Sequence, residues 1–162
     1  MKTYKNWIIA ANLIAIIAYF SFTIIQKENI LKNGKLILLE LSPIDPRSLM
    51  QGDYMQLRYS IADSLDTQEA PLRGYLVVRL NEKNIAQGVR VQQHTTPLNN
   101  GEFLINYTKS NRNNLNIGAE SFFFQEGHAQ RYEQAKFGGI KVDNKGNSLL
   151  IGLYNNQQKI IK

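Results

Sequence analysis

From Trp7 to Ile25 sixteen of nineteen positions are apolar, the exceptions being Asn12, Ser21 and Thr23, and no charge stands between Lys5 and Lys27. At ~1.5 Å of rise per residue this stretch predicts a helix of roughly 28 Å, about the thickness of a bilayer's hydrocarbon core. Residues 26–35 extend it as a short amphipathic piece that stops at Asn33-Gly34, a helix-ending pair. Beyond this point the pattern changes to short apolar runs and alternation of period two. Residues 35–41 form a strand candidate, halted by Ser42-Pro43-Ile44-Asp45-Pro46, where two prolines exclude a regular helix. Over residues 53–61, Met55, Leu57, Tyr59 and Ile61 share one face while Tyr54, Gln56, Arg58 and Ser60 share the other, the alternation of a half-buried strand.

Residues 74–80 and 85–92 flank Asn81-Glu82-Lys83-Asn84 as a hairpin. Residues 102–109 alternate through Phe103, Ile105 and Tyr107, and 111–116 read as a polar loop. Residues 121–125 hold three successive phenylalanines, the signature of a strand buried on both faces. Residues 127–136 predict one soluble helix, with Ala129, Tyr132 and Ala135 on one side and Gly138-Gly139 as its stop. Residues 140–142 and 148–154 close the chain as a hairpin across Asp143-Asn144-Lys145-Gly146-Asn147. The fold class expected is mainly β, a small barrel or sandwich of the α+β kind with one late helix, preceded by a single N-terminal transmembrane helix. The expected organisation is an anchor over 1–26, a juxtamembrane linker over 27–34 and one extracytoplasmic domain over 35–162.

Composition narrows the picture. The chain has 162 residues, 19 Lys+Arg against 13 Asp+Glu, and a net charge of +6. Part of that excess sits at the anchor, in Lys2, Lys5, Lys27, Lys32 and Lys35, where anionic headgroups attract it. Without an arginine-rich cluster interleaved with aromatics, nucleic acid is not an expected partner. The absence of cysteine removes disulfides, thiolate catalysis and cysteine-based metal sites. The apolar run is too long for a cleaved signal, and Ser21-Phe22-Thr23 is a poor cleavage site, so an uncleaved signal-anchor is expected. The bilayer is then a partner through residues 7–25. Lys2 and Lys5 favour a cytoplasmic amino terminus, with the following domain outside.

Chemistry-bearing residues are sparse. His94 and His128 stand alone, without a second ligand at metal-binding spacing, and suit surface or capping roles. No metal site, no cofactor and no catalytic residue is expected. The densest segment runs from Ser42 to Tyr59. Asp45 and Asp53 around Arg47 suit an ion pair that stiffens a turn, or an anion- or peptide-binding site with Tyr54 beside it. Glu126 before Gly127 suits a capping role at a helix start, or the far wall of a groove facing the Asp45–Tyr54 turn.

Gly52-Asp53-Tyr54, followed by Leu57 and Tyr59, resembles the pattern that names the GDYXXLXY family, and Pro43-Ile44-Asp45-Pro46-Arg47-Ser48-Leu49 resembles the stretch that precedes it there. Phe122-Phe123-Phe124-Gln125-Glu126-Gly127-His128-Ala129, with Tyr132-Glu133 and Ala135, forms a second family-like block. The resemblance implies a bacterial protein with one N-terminal span and a domain of unknown role, and it suggests a polytopic membrane protein as partner. It assigns no catalytic residue. On physical grounds Pro46, Gly52, Leu57, Tyr59 and Gly127 have structural parts. Asp45, Arg47, Asp53, Tyr54 and Glu126 are the candidates for contact with a ligand or partner.

An N-terminal anchor with a turn ending Leu-x-x-Gly-Asp is also similar to signal peptidases. That alignment puts Ile44 at the nucleophile position and Ser48 away from it, so their serine–lysine mechanism has no nucleophile here. The expected function is therefore a membrane-anchored accessory or binding domain in the bacterial periplasm. The alternative is a hydrolase or small-ligand enzyme built on the polar cluster around Asp53.

Overall fold

The computed structural model describes residues 2–42, 54–62, 65, 69–110, 115–125 and 127–161. Helix α1 spans Lys2–Asn33. Trp7, Ile8, Leu13, Ile17, Phe20 and Ile24 all stand exposed on it, and its most apolar window has a mean hydropathy of 2.3 with none of it buried against the protein. A helix apolar on every side needs an apolar environment, which this domain does not supply. The helix is long and apolar enough to cross a membrane.

Residues 27–33 continue the helix, and Gly34 alone stands between it and strand β1 (Lys35–Glu40). The Gly34 amide donates to the Ile30 carbonyl at 2.8 Å. A Cβ at Gly34 would stand only 2.4 Å from that oxygen and 3.2 Å from the Lys141 Cβ, so the join is too tight for a side chain. Ile30 is buried, and the Lys141 ammonium donates to the Leu31 carbonyl. The last helical turn is thus part of the domain's packing.

The remaining strands are β2 (Tyr54–Gln56), β3 (Arg73–Leu80), β4 (Ala86–Gln92), β5 (Glu102–Lys109), β6 (Leu115–Asn116), β7 (Ser121–Phe123), β8 (Phe137–Val142) and β9 (Ser148–Tyr154). They form three antiparallel sheets, ordered β1-β8-β9, β4-β3-β5-β6 and β2-β7. The sheets stay open, so the domain is mainly β without a closed barrel. The two larger sheets share one core. Ile37, Leu39, Ile140 and Leu153 from one meet Leu76, Val78 and Ile105 from the other, all fully buried, with Met55, Leu57, Tyr59 and Ile61 in the same cluster. The Leu38 amide joins the sheets by donating to the Asn84 carbonyl at 2.9 Å.

Local chemistry accounts for most turns. In the β3–β4 turn Asn81 Oδ1 accepts from the amides of Lys83 at 2.9 Å and Ile85 at 3.0 Å, an Asx turn. Asp143 does the same between β8 and β9, where Oδ1 accepts from Lys145 at 2.9 Å and Asn147 at 2.8 Å.

Four expectations are corrected. Gly138-Gly139 lies inside β8 rather than ending a helix. The reason is tertiary: a Cβ on Gly138 would stand 2.8 Å from the Tyr59 ring, and one on Gly139 2.2 Å from the Tyr154 ring. The expected helix over 127–136 shrinks to one turn, α2 (Ala129–Tyr132). The strand expected over 121–125 ends at Phe123, and it is not buried on both faces, because a two-stranded ribbon has an outer side. Within the expected loop over 111–116, Leu115–Asn116 pairs with the end of β5.

Candidate functional site

The two sequence blocks singled out above meet in the β2–β7 ribbon. Its register pairs Tyr54 with Phe123, Met55 with Phe122 and Gln56 with Ser121. Alternation then sorts the side chains. Met55 turns inward and is buried, Phe122 is half-buried against the core, and Tyr54 and Phe123 face out. Tyr54 is 39% exposed and Phe123 73% exposed. Their ring centroids lie 5.7 Å apart, within aromatic contact distance. Behind them Phe122, Phe124 and Tyr132 form a second aromatic group, with Tyr132 at 4.9 Å from Phe122 and 5.5 Å from Phe124.

The ribbon continues as a fixed stem. The Leu57 amide donates to the Glu120 carbonyl at 2.7 Å, and the Ser42 amide to the Arg58 carbonyl at 2.8 Å. Leu41 bridges Tyr59. The chain therefore leaves for residue 43 and is gathered again by residue 58 at the same place. Alternation over residues 53–61 holds in its faces, since Met55, Leu57, Tyr59 and Ile61 are all buried. Its strand is shorter, ending at Gln56, and Ser60–Ala62 is a 3-10 turn.

Tyr59 is a structural anchor. Its hydroxyl donates to the Ala119 carbonyl at 2.5 Å, and its ring covers Gly138. Burial holds its phenol well above the ordinary range, and the nearby Glu120 charge adds to this. Such a group keeps its proton at neutral pH and does not act as an acid–base catalyst. Gly127 adopts φ +81° with open space where a Cβ would be, a left-handed conformation that suits glycine. His128 occupies the N-cap position of α2, yet its side chain makes no capping bond. Asp45, Pro46, Arg47, Gly52, Asp53 and Glu126 lie outside the described residues. The fold thus brings together Tyr54 and Phe123. Phe123 stood inside the quoted block without being singled out, although its outward position follows from pairing with Tyr54.

A second cluster escaped sequence reasoning. The Glu102 carboxylate, 1% exposed, takes both ends of the Arg90 guanidinium at 3.0 and 2.9 Å. It also accepts from the Asn99 amide at 3.0 Å and the Asn99 side chain at 3.1 Å, with Arg79 at 3.6 Å. Only the strand register, which sets Arg79 opposite Glu102, reveals the cluster. With both oxygens engaged it is a clamp across β3, β4 and β5 rather than a proton carrier. Arg90, then the Asn99 amide, hold the Glu102 carboxyl at about 2 against an ordinary 4.5. A depressed folded value makes its contribution present above the unfolded carboxylate range and lost as pH falls from 4.5 towards 2. Thermal melts across that window are expected to show Glu102→Gln less stable at neutral pH and less sensitive to acid than the parent. Among the described residues no group of three or more His, Cys, Asp or Glu side chains could hold a metal ion.

A mainly β domain continuous with an apolar N-terminal helix, carrying an outward aromatic pair on a small ribbon, defines the class of protein. The chain belongs to the GDYXXLXY protein family, whose sequence profile matches residues 16–153. No curated protein and no solved structure matches it.

Proposed function

We propose that this chain is a membrane-anchored accessory protein that binds another membrane or envelope protein through the outer face of the β2–β7 ribbon. Helix α1 is an uncleaved signal-anchor in a bacterial cytoplasmic membrane, and the β domain lies on the periplasmic side. The exposed apolar girth of α1 supports the first part, and Lys2 and Lys5 at its start support the orientation. A polytopic membrane protein is the partner this arrangement suits, because a short rigid join keeps the domain close to the bilayer.

The observation that carries the reading is the Tyr54–Phe123 pair. These side chains come from the two blocks of the family pattern, are paired in register, and face away from the core. Exposed aromatics on a fixed ribbon are the usual anchors of protein interfaces, where truncating one costs about 2 kcal/mol or more. Extraction from the native host in mild detergent is expected to recover a membrane-protein partner with the wild type. Tyr54→Ala combined with Phe123→Ala is expected to lower that recovery by about thirty-fold or more. Undiminished recovery by the double variant would reject this face, and a strictly monomeric wild type would reject the accessory role.

A further inference from the structure

The polar cleft between the end of α1 and the β8–β9 turn has a use that partner binding leaves open. It measures about 350 Å³ and is lined by Gln26, Lys27, Asn29 and Ile30 from the helix and by Asp143, Asn144, Lys145 and Asn147 from the turn. This volume lies within the ~300–1,000 Å³ typical of small-ligand sites. Its height along the molecule is fixed by the apolar stretch, which ends at Ile25. Asn29 stands four residues further on, at ~6 Å by helical rise, within the headgroup layer that adds roughly 5–8 Å to each side of the hydrocarbon core. Since Gly34 alone joins α1 to β1, no slack lifts the domain away from that layer.

The turn is tied to β5 by two hydrogen bonds. The Asn106 amide donates to the Gly146 carbonyl at 2.8 Å, and the Asn106 side chain donates to Asn147 Oδ1 at 3.0 Å. Asp143, the acidic residue in the lining, is absorbed by its own turn. Its Oδ1 takes the Lys145 and Asn147 amides, and its Oδ2 takes the Asn147 side-chain amide at 2.8 Å. Among the described residues Lys27 and Lys145 have no carboxylate within ion-pair distance. Two lysines and the side-chain amides of Gln26, Asn29 and Asn144 thus line the cleft, at the level of lipid phosphates when α1 spans a bilayer.

We infer that this cleft is a binding site for an anionic phospholipid headgroup, its phosphate held between Lys27 and Lys145, so that the β8–β9 turn rests on the membrane surface. This rests on α1 spanning a bilayer. A lysine at an anionic membrane surface is worth roughly five-fold in binding. The test uses the full chain in bilayer discs of equal phosphatidylcholine and phosphatidylglycerol, with retained lipid identified by native mass spectrometry. The wild type is expected to retain one phosphatidylglycerol. Lys27→Gln and Lys145→Gln are each expected to reduce that retention roughly five-fold, and the pair by about twenty-five-fold. Lys83→Gln, an exposed lysine in the β3–β4 turn, is expected to leave it unchanged.

Equal loss with Lys83→Gln would reduce the effect to net charge and overturn the site. Retention unchanged in the double variant, or no preference for phosphatidylglycerol, would also overturn it. Displacement of the lipid by millimolar inorganic phosphate would reassign the cleft to a soluble anion, which contradicts the proposal. Failure of the chain to enter the discs would instead overturn the bilayer-spanning reading of α1, a separate result.

Discussion

Removing residues 1–26 is expected to move the protein from the membrane pellet to the soluble fraction, and charges placed within α1 are expected to approach the same result. The ten Ile, Leu and Phe side chains between Trp7 and Ile25 favour insertion by about 0.3–0.6 kcal/mol each, roughly 3–6 kcal/mol together. A lysine at the centre of a span costs about 2.5–3.5 kcal/mol. Ile16→Lys should therefore weaken insertion without abolishing it, whereas Ile14→Lys with Ile17→Lys should cancel it. Carbonate extraction followed by immunoblotting reads the distribution. A truncated chain that still pellets with membranes would show that the domain, not α1, carries the attachment.

The second large effect is on folding. Tyr59→Ala is expected to lower the unfolding free energy by about 3–5 kcal/mol, the usual cost of deleting a buried aromatic ring. The loss has three sources: the core contacts of the ring, the hydrogen bond to the Ala119 carbonyl, and the cover over Gly138. Tyr59→Phe retains the ring and leaves that carbonyl without its donor, at about 1–3 kcal/mol. Since a domain of this size is stable by only ~5–15 kcal/mol, the alanine variant removes a large fraction. Tyr54→Ala, which alters a partly exposed ring, should change stability by less than about 1 kcal/mol. Denaturant titration followed by near-ultraviolet circular dichroism separates these cases. Equal costs at the two tyrosines would contradict the assignment of Tyr59 to the core and Tyr54 to the surface.

The contrast between those tyrosines was legible in the sequence, because an alternation of period two assigns faces before any strand is placed. The same local logic marked α1, β1, the β3–β4 hairpin and β5, whose apolar runs and Asx turns are written within a few residues. What was not legible depends on partners distant in the chain. Gly138-Gly139 looks like a helix stop until the rings of Tyr59 and Tyr154 are set over it. Phe122-Phe123-Phe124 looks like a doubly buried strand until its only sheet neighbour among the described residues is seen to be β2. Glu102 looks like an ordinary first residue of a strand, and only the pairing of β3 with β4 and β5 gives it two arginines. At the candidate site, the alternation sets Tyr54 on the face opposite Met55, Leu57, Tyr59 and Ile61, and in the structure its side chain stands exposed. Phe123, its register partner, required the fold. The ion pair expected around Arg47 falls outside the described residues.

The two halves of the proposal, a tether and a docking face, meet in one measurement. A photo-crosslinking amino acid placed at position 123 in the full-length chain, activated in intact cells, reports what touches that face. The account predicts a discrete adduct with an integral membrane or envelope protein, and loss of that adduct when Tyr54→Ala is added. An adduct yield no greater than that from the same probe at position 83, on the exposed β3–β4 turn, would contradict it.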